Sequence, residues 1–353
     1  MRGKSILRSA IPLVAAGTCL ALAACGGGSA AEGKSTAKSG GGEPVTLSFA
    51  YFAAADGWPG PVMDEWAKRV EEQTNGQVTV ETYPGGTLLN RDDMFDGVLK
   101  GVADIGMASI ADVGRFPLQA GIGLPVQLGN STVASKVTYD LVSEFKPAEL
   151  DEFKVITVFA SGPAQLQTKE PIKSAGDLAG AEIRATGGGV KVLEKLGATP
   201  VGMSIAEVPE ALQTGVIDGY MTSLTVLEDF KLAEMVRYVT NYQAEALTFA
   251  VLMDKDRWAE LPPNVQKVID GLGQEMAVWA GEQFDKQAEH ALQWAKDEHG
   301  VEVVELSAAE KAKWDATVEP LVGTWVSEGK AKGLPTQEFL DRLYELRDQY
   351  SKK

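Results

Sequence analysis

From residue 45 onward the chain switches repeatedly between a hydrophobic period of two and one of 3.6, and this alternation limits the available folds more than any other feature. "VTLSFAYF" (45–52) has strand composition, and "PGPVMDEWAKRVEEQTNG" follows with Val62, Trp66 and Val70 on one helical face and a glycine stop at Gly76. "QVTVETY" reads as a strand, "RDDMFDGVLKGV" as a helix, and "DIGMAS" as a short buried strand. That βαβαβ order predicts a parallel sheet covered by helices. After a proline-rich passage, "RFPLQAGIGLPVQL", and one helix, "FKVITVFA" restarts strand character. "EIRAT", "TPVGM" and "IDGYM" then alternate with helical stretches, predicting a second α/β unit. From Asp254 the pattern turns helical, with one long helix after Pro263 and two more before the end. Two sheets joined by bridging helices imply two lobes and a cleft, and ligands of such sheets sit at the carboxyl ends of the strands. The expected division is 45–162 plus about 251–290 for the first lobe, and 163–250 plus about 291–353 for the second.

The N-terminus sets the compartment. Residues 1–24 carry Arg2, Lys4 and Arg8, then an apolar run from Ile11 to Leu22 too short to span a bilayer, then small residues, which is the anatomy of an export signal. The segment ends in "LAAC", which resembles the lipobox of a bacterial lipoprotein and makes Cys25 the expected lipidated first residue, anchored to the cell membrane on its extracytoplasmic side. The other cysteine, Cys19, lies inside the signal, so no internal disulfide is expected and stability must come from a packed core. Residues 25–44, rich in Gly, Ser, Ala and Lys, read as a flexible tether with a reach of roughly 25 Å.

The formal net charge is -16, and the leader holds three basic residues and no acidic one, so the remainder is more acidic still. Such a surface disfavours nucleic acid and anionic lipid as partners. No nucleophile elbow, zinc motif or cysteine cluster appears, and no metal or cofactor set is expected. His290 and His299 fall near the end of the long helix and read as solvated. "DMFDG" fails as a calcium loop, because Met94 and Ala103 stand where oxygen ligands are needed.

"AEIRATGGGVKVLEKLGA" (181–198) carries the chemistry. Its glycine triplet fails the Walker spacing, with Val190 before Lys191 and Val192 where a hydroxyl should hold magnesium, and it fails G-x-G-x-x-G as well. It reads as a close-approach turn into a helix whose backbone N–H groups face a ligand. Arg184 stands at the end of a strand between Ile183 and Ala185, so alternation turns it away from its apolar neighbours. A guanidinium there either clamps a carboxylate through two parallel bonds or pairs at the surface with Glu182 or Glu207. Tyr51, Phe52 and Trp58 at the first strand end, Ser109 and Phe116 nearby, and Tyr220 from the second unit are candidate ligand walls or core residues.

"YPGGTLLNRDDMFDGVLKGVADIGMASIADVGRFPL", "KEPIKSAGDLAGAEIRATGGGVKVLEKLGATPVGMSIAEVPEALQTGVIDG", "RYVTN" and "WAELPPNVQKVI", in this order, resemble the substrate-binding proteins of TRAP transporters. The resemblance covers Val45 to about Ile269. It implies a two-lobed periplasmic-binding-protein fold with a long bridging helix, no enzymatic activity, capture of a small organic acid, delivery to membrane subunits driven by an ion gradient, and an option to dimerise through C-terminal helices. "DLAGAEIR" matches the family phrase that ends in the carboxylate-binding arginine, so the clamp role falls to Arg184. Thr222 stands about where many members have a ligand-contacting asparagine. Gln165 and Gln167 stand where many have a second arginine, and Pro209 where many have tyrosine. These departures favour a monocarboxylate with a neutral or apolar remainder over a dicarboxylate or sialic acid. A ligand-presenting sensory lipoprotein of the same fold, or a lipid-anchored enzyme, are the alternatives.

Overall fold

The computed structural model describes residues 43–111 and 114–352. The signal of 1–24, Cys25 and most of the 25–44 tether lie outside the described residues.

The first lobe begins β1 (Val45–Tyr51), α1 (Gly60–Gln73), β2 (Val78–Tyr83), α2 (Met94–Leu99), β3 (Ile105–Ser109), α3 (Ser131–Phe145) and β4 (Phe153–Ala160). The second holds β5 (Gln165–Thr168), β6 (Glu182–Arg184), α4 (Gly188–Leu196), β7 (Thr199–Val201), α5 (Val208–Thr214), β8 (Gly219–Thr222), α6 (Val226–Asp229) and β9 (Tyr238–Thr240). The chain then returns through β10 (Thr248–Asp254) and α7 (Lys255–Ala259), and ends with α8 (Pro263–His299), β11 (Glu302–Val304), α9 (Ala308–Ala331) and α10 (Thr336–Tyr350).

The strand order is β2-β1-β3-β10-β4 in one sheet and β11-β9-β5-β8-β6-β7 in the other. β1 runs parallel to β2 and β3 as the βαβαβ pattern requires, but β10 is antiparallel to both its neighbours, so the sheet is mixed where a parallel one was expected. The reason is topological. β4 leaves the first lobe at its carboxyl end, and β10 re-enters at that same end with Thr248 beside Ala160. A strand that enters where its neighbours leave must run against them.

The two crossings lie side by side. Ser161 N donates to Leu247 O (2.8 Å), Ala164 N to Glu245 O (2.8 Å) and Ala244 N to Ala164 O (3.1 Å). Two hydrogen-bonded single strands make a hinge that bends easily yet keeps its register. α8 spans the hinge, packing on α1, α3 and β4 at one end and on α6 at the other.

Each sheet is covered on both faces. In the first lobe, Leu47, Phe49 and Ile105 pack with Trp66 of α1 and with Ile269 and Met276 of α8, while Ala50, Ala108 and Val158 face Phe95 of α2. In the second, Ile183 and Met221 pack with Leu193 of α4 and Trp314 of α9, and Tyr220 and Val239 with Leu212 of α5. The 291–353 segment, assigned from sequence to the second lobe alone, divides between the two. α9 starts against α4, but its Trp325 donates to Pro117 O (2.7 Å), and α10 lays Phe339, Leu343 and Leu346 on Val133, Val137 and Leu141 of the α3 layer. Arg342 adds a two-pronged pair to Glu144 of α3, at 2.8 and 2.7 Å.

Candidate functional site

Between the lobes, at the carboxyl ends of β1 and β4, lies a cavity of about 570 Å³. That is ample for a small organic molecule. The first lobe contributes Phe52, Trp58, Arg91 and Phe249; the second contributes Arg184, Thr222, Asp229 and Phe230; the hinge adds Ser161 and Glu245, and α8 adds Phe284. The wall is thus assembled from both lobes and the hinge.

Arg184 closes β6, in register with Tyr220 of β8 and Val201 of β7. It is only 6% exposed. Its Nε donates to Met203 O (3.0 Å), and among the described residues neither Nη atom has a hydrogen-bond partner and the side chain forms no ion pair, so the surface pairing with Glu182 or Glu207 is not made. Burial pulls its pKa below the usual arginine value, and the charge of Glu245 offsets part of that. A buried cation that lines a cavity with only its Nε tied keeps the two Nη groups able to hold an anion in two parallel bonds.

The glycine triplet holds an anion that the sequence did not reveal. Gly189 N donates to Glu245 Oε2 (3.0 Å) at the start of α4, and the Gly188 N–H also favours the ionised carboxyl. A Cβ on Gly188 would come within 2.6 Å of Gly123 O and 3.1 Å of Glu245 Oε2, and one on Gly189 within 2.9 Å of Oε1. Gly187 also holds a φ of +62°. Three residues without side chains are thus needed to wrap one carboxylate. The N–H groups expected to face a ligand are turned to Glu245 instead. Glu245 is 7% exposed, and its pKa is pushed up to about 7 by burial, against the pull of the two backbone N–H groups and Arg184.

The apolar wall is aromatic. Trp58 meets Phe284 at 4.6 Å, Phe249 at 5.6 Å and Phe159 at 5.7 Å, all near perpendicular, and Phe52 leans on Phe249 at 6.2 Å. Edge-to-face packing of this kind holds rings rigidly and leaves a flat face for a guest. Arg91 stacks over Phe52 at 5.6 Å. Two arginines and three carboxyl groups, those of Asp56, Asp229 and Glu245, line the space among the described residues. A second negative charge brought in by a ligand would enter a wall already rich in carboxylates.

Of the residues singled out from sequence, Phe52, Trp58, Arg184 and Thr222 meet at this cavity. The others do not line it. Tyr51 is fully buried under α1, its hydroxyl donating to Asp64 (3.1 Å). Phe116 is fully buried against Phe95, at 5.4 Å. Tyr220 is fully buried in the α5 layer, on the side opposite Met221. Ser109 is half-buried beside Phe249 in the ladder. Gln165 is half-buried in β5 opposite Thr222. Gln167 is fully buried and acts indirectly, its Nε2 holding the carbonyls of Thr222 (3.2 Å) and Ser223 (3.1 Å) and so shaping the wall after β8.

Glu245, Phe249, Phe284 and Arg91 were missed. "NYQAEALTFAV" holds a lone acidic residue in an apolar run, which is a usable signal for Glu245. Phe284 lies on a long amphipathic helix, where nothing in the sequence tells a hinge-facing ring from a core ring.

Comparison with known proteins adds four findings. The family model DctP, bacterial extracellular solute-binding protein family 7, matches residues 49–328. The C4-dicarboxylate-binding periplasmic protein DctP of Rhodobacter capsulatus is 29% identical over 79% of this chain and 86% of its own. Among solved structures, a TRAP periplasmic solute-binding protein from Desulfovibrio salexigens superposes with a TM-score of 0.83 at 40% identity, covering 87% of this chain and 96% of its own. A marine-metagenome TRAP solute-binding protein specific for aromatic acid ligands, in complex with metahydroxyphenylacetate, superposes with a TM-score of 0.78 at 31% identity, covering 87% of this chain and 99% of its own.

Proposed function

Because the chain belongs to the DctP family of bacterial extracellular solute-binding proteins, we propose that its cleft captures a monocarboxylate with an apolar remainder, aromatic acids foremost, and presents it to the membrane subunits of a TRAP transporter. The protein is a transport solute-binding protein and not an enzyme. The finer assignment rests on one observation: the buried Arg184, whose Nη atoms have no hydrogen-bond partner among the described residues, lines a cavity walled also by Phe52, Trp58, Phe249 and Phe284. The carboxylate pairs with Arg184, and the apolar part lies among the rings. Rotation about the 161–164 and 244–247 crossings then excludes water and strengthens the ion pair as the local dielectric falls. Thr222 supplies a hydroxyl on the second-lobe wall. The aromatic-acid specificity of the marine-metagenome relative supports this ligand class; the dicarboxylate named for the Rhodobacter protein is the competing class. The export signal and "LAAC" support an extracytoplasmic position with Cys25 as the lipid anchor.

A thermal-shift panel of aliphatic monocarboxylates, aromatic monocarboxylates and C4-dicarboxylates tests the ligand class. A ligand at a hundred times its dissociation constant adds about 2.7 kcal/mol of stability. A response to benzoate and its hydroxylated relatives is expected. A response to dicarboxylates alone overturns the assignment.

A further inference from the structure

We infer that capture of a carboxylate at Arg184 is coupled to the uptake of one proton by Glu245, which acts as the resident counter-charge of the site and biases it against dianions. The inference rests on the clamp role proposed for Arg184. Glu245 stands where three parts of the molecule meet: the hinge strand that carries it, the start of α4, and the first-lobe segment ending at Gly123. It lines the ligand cavity on one side and, on the other, a smaller one of about 90 Å³ between α4 and α9. Its ionised form is supported by the N–H groups of Gly188 and Gly189 and by the field of Arg184.

A ligand carboxylate that pairs with Arg184 withdraws that field, adds its own negative charge, and lets the lobes close over water. All three changes act in one direction, toward neutral Glu245. The proton comes from solvent. A protonated carboxyl still keeps an oxygen as acceptor for Gly189 N–H, so α4 need not move. The other charged groups facing Glu245 are few. Lys191 of α4 and Glu328 of α9 line the smaller cavity, the 119–125 segment has none, and Asp56, Arg91 and Asp229 stand in the wall of the larger one. Asp229, exposed at the rim yet closely surrounded by protein, is pushed up to about 6 by desolvation and then by Glu228 and Asp56, against the Thr225 hydroxyl, which makes it the second group of this wall able to take up a proton.

Isothermal titration with benzoate in two buffers of different ionisation enthalpy, at about pH 7.5, counts the protons on the wild-type chain directly. A fraction of one proton taken up per benzoate is expected. Affinity should weaken by about 3- to 10-fold between about pH 6.5 and about pH 8.5, since each linked proton weighs up to tenfold per pH unit. Glu245→Gln should bind with a flat profile over that range, and tighter than wild type at its upper end. Benzoate binding that is lost in Arg184→Ala but takes up no proton overturns the coupling alone. A pH dependence that persists in Glu245→Gln assigns the proton elsewhere, Asp229 first, and also overturns it. Full-affinity binding by Arg184→Ala overturns the clamp and the coupling together.

Discussion

Replacing Arg184 by methionine should make the ligand-free protein more stable while sharply weakening its affinity, and the two effects can be sized from the structure. Burying a cation costs several kcal/mol, and here the return comes only from a hydrogen bond to Met203 O and the field of Glu245. A hydrogen bond from a charged group returns about 1.5–3 kcal/mol. The remainder is a net cost of about 1–3 kcal/mol that methionine, apolar and nearly as long, does not incur. Arg184→Met should therefore melt several degrees higher in differential scanning calorimetry, at about 2–4 °C per kcal/mol for domains of this size. The same change removes one partner of a desolvated ion pair and should weaken benzoate by about 2–5 kcal/mol, or roughly 30- to several-thousand-fold in dissociation constant. Stability held in reserve for the ligand is the usual trade at a binding site. A methionine variant that melts below wild type without ligand, or that binds benzoate unchanged, refutes the reasoning.

Gly188→Ala forces a Cβ to 2.6 Å from Gly123 O, a backbone atom with little room to yield, and should destabilise by about 1–3 kcal/mol in urea. Gly271→Ala, inside α8 with nothing within 4 Å, should instead stabilise by about 0.5–1 kcal/mol in the same assay. Trp58→Ala removes the ring that braces Phe249 and Phe284, and calorimetry should show benzoate losing more than tenfold, at ~1.4 kcal/mol per decade, while acetate loses less. Glu245 is raised from 4.5 to about 7 in the folded chain. The stability present below its unfolded pKa is therefore lost as pH rises through that window, by at most about 3 kcal/mol. Urea unfolding at about pH 5 and about pH 8 should show a larger loss in wild type than in Glu245→Gln, whose amide has no proton to lose and which keeps only the contribution of Asp229.

Much of the architecture was legible because it is written in local periods. β1, α1, β2, β3, β4 and α8 appear where the two- and 3.6-residue patterns place them, since one buried face per element is a property of neighbouring residues. β10 was not recognised as a strand. "TFAVLMD" is apolar from Phe249 to Met253 because it is buried on both faces between β3 and β4, and such a run has no period. Its direction could not be read either, because it depends on where the chain comes back from the other lobe.

The site divides the same way. The sequence by itself determined that a guanidinium ends a strand beside a glycine turn and that Phe52 and Trp58 follow the first strand. It could not separate Phe52 from Tyr51, one residue apart, of which one lines the cavity and the other packs under α1. Nor could it say what the glycines were for. Only the tertiary structure brought Glu245, fifty-six residues beyond Gly189, to the start of α4, and Phe284 of the bridging helix to the rings of the first lobe. A strand or helix pattern records which side of an element is dry. The partner of a buried charge is decided by the closure of the whole chain, and here the two hinge crossings set it.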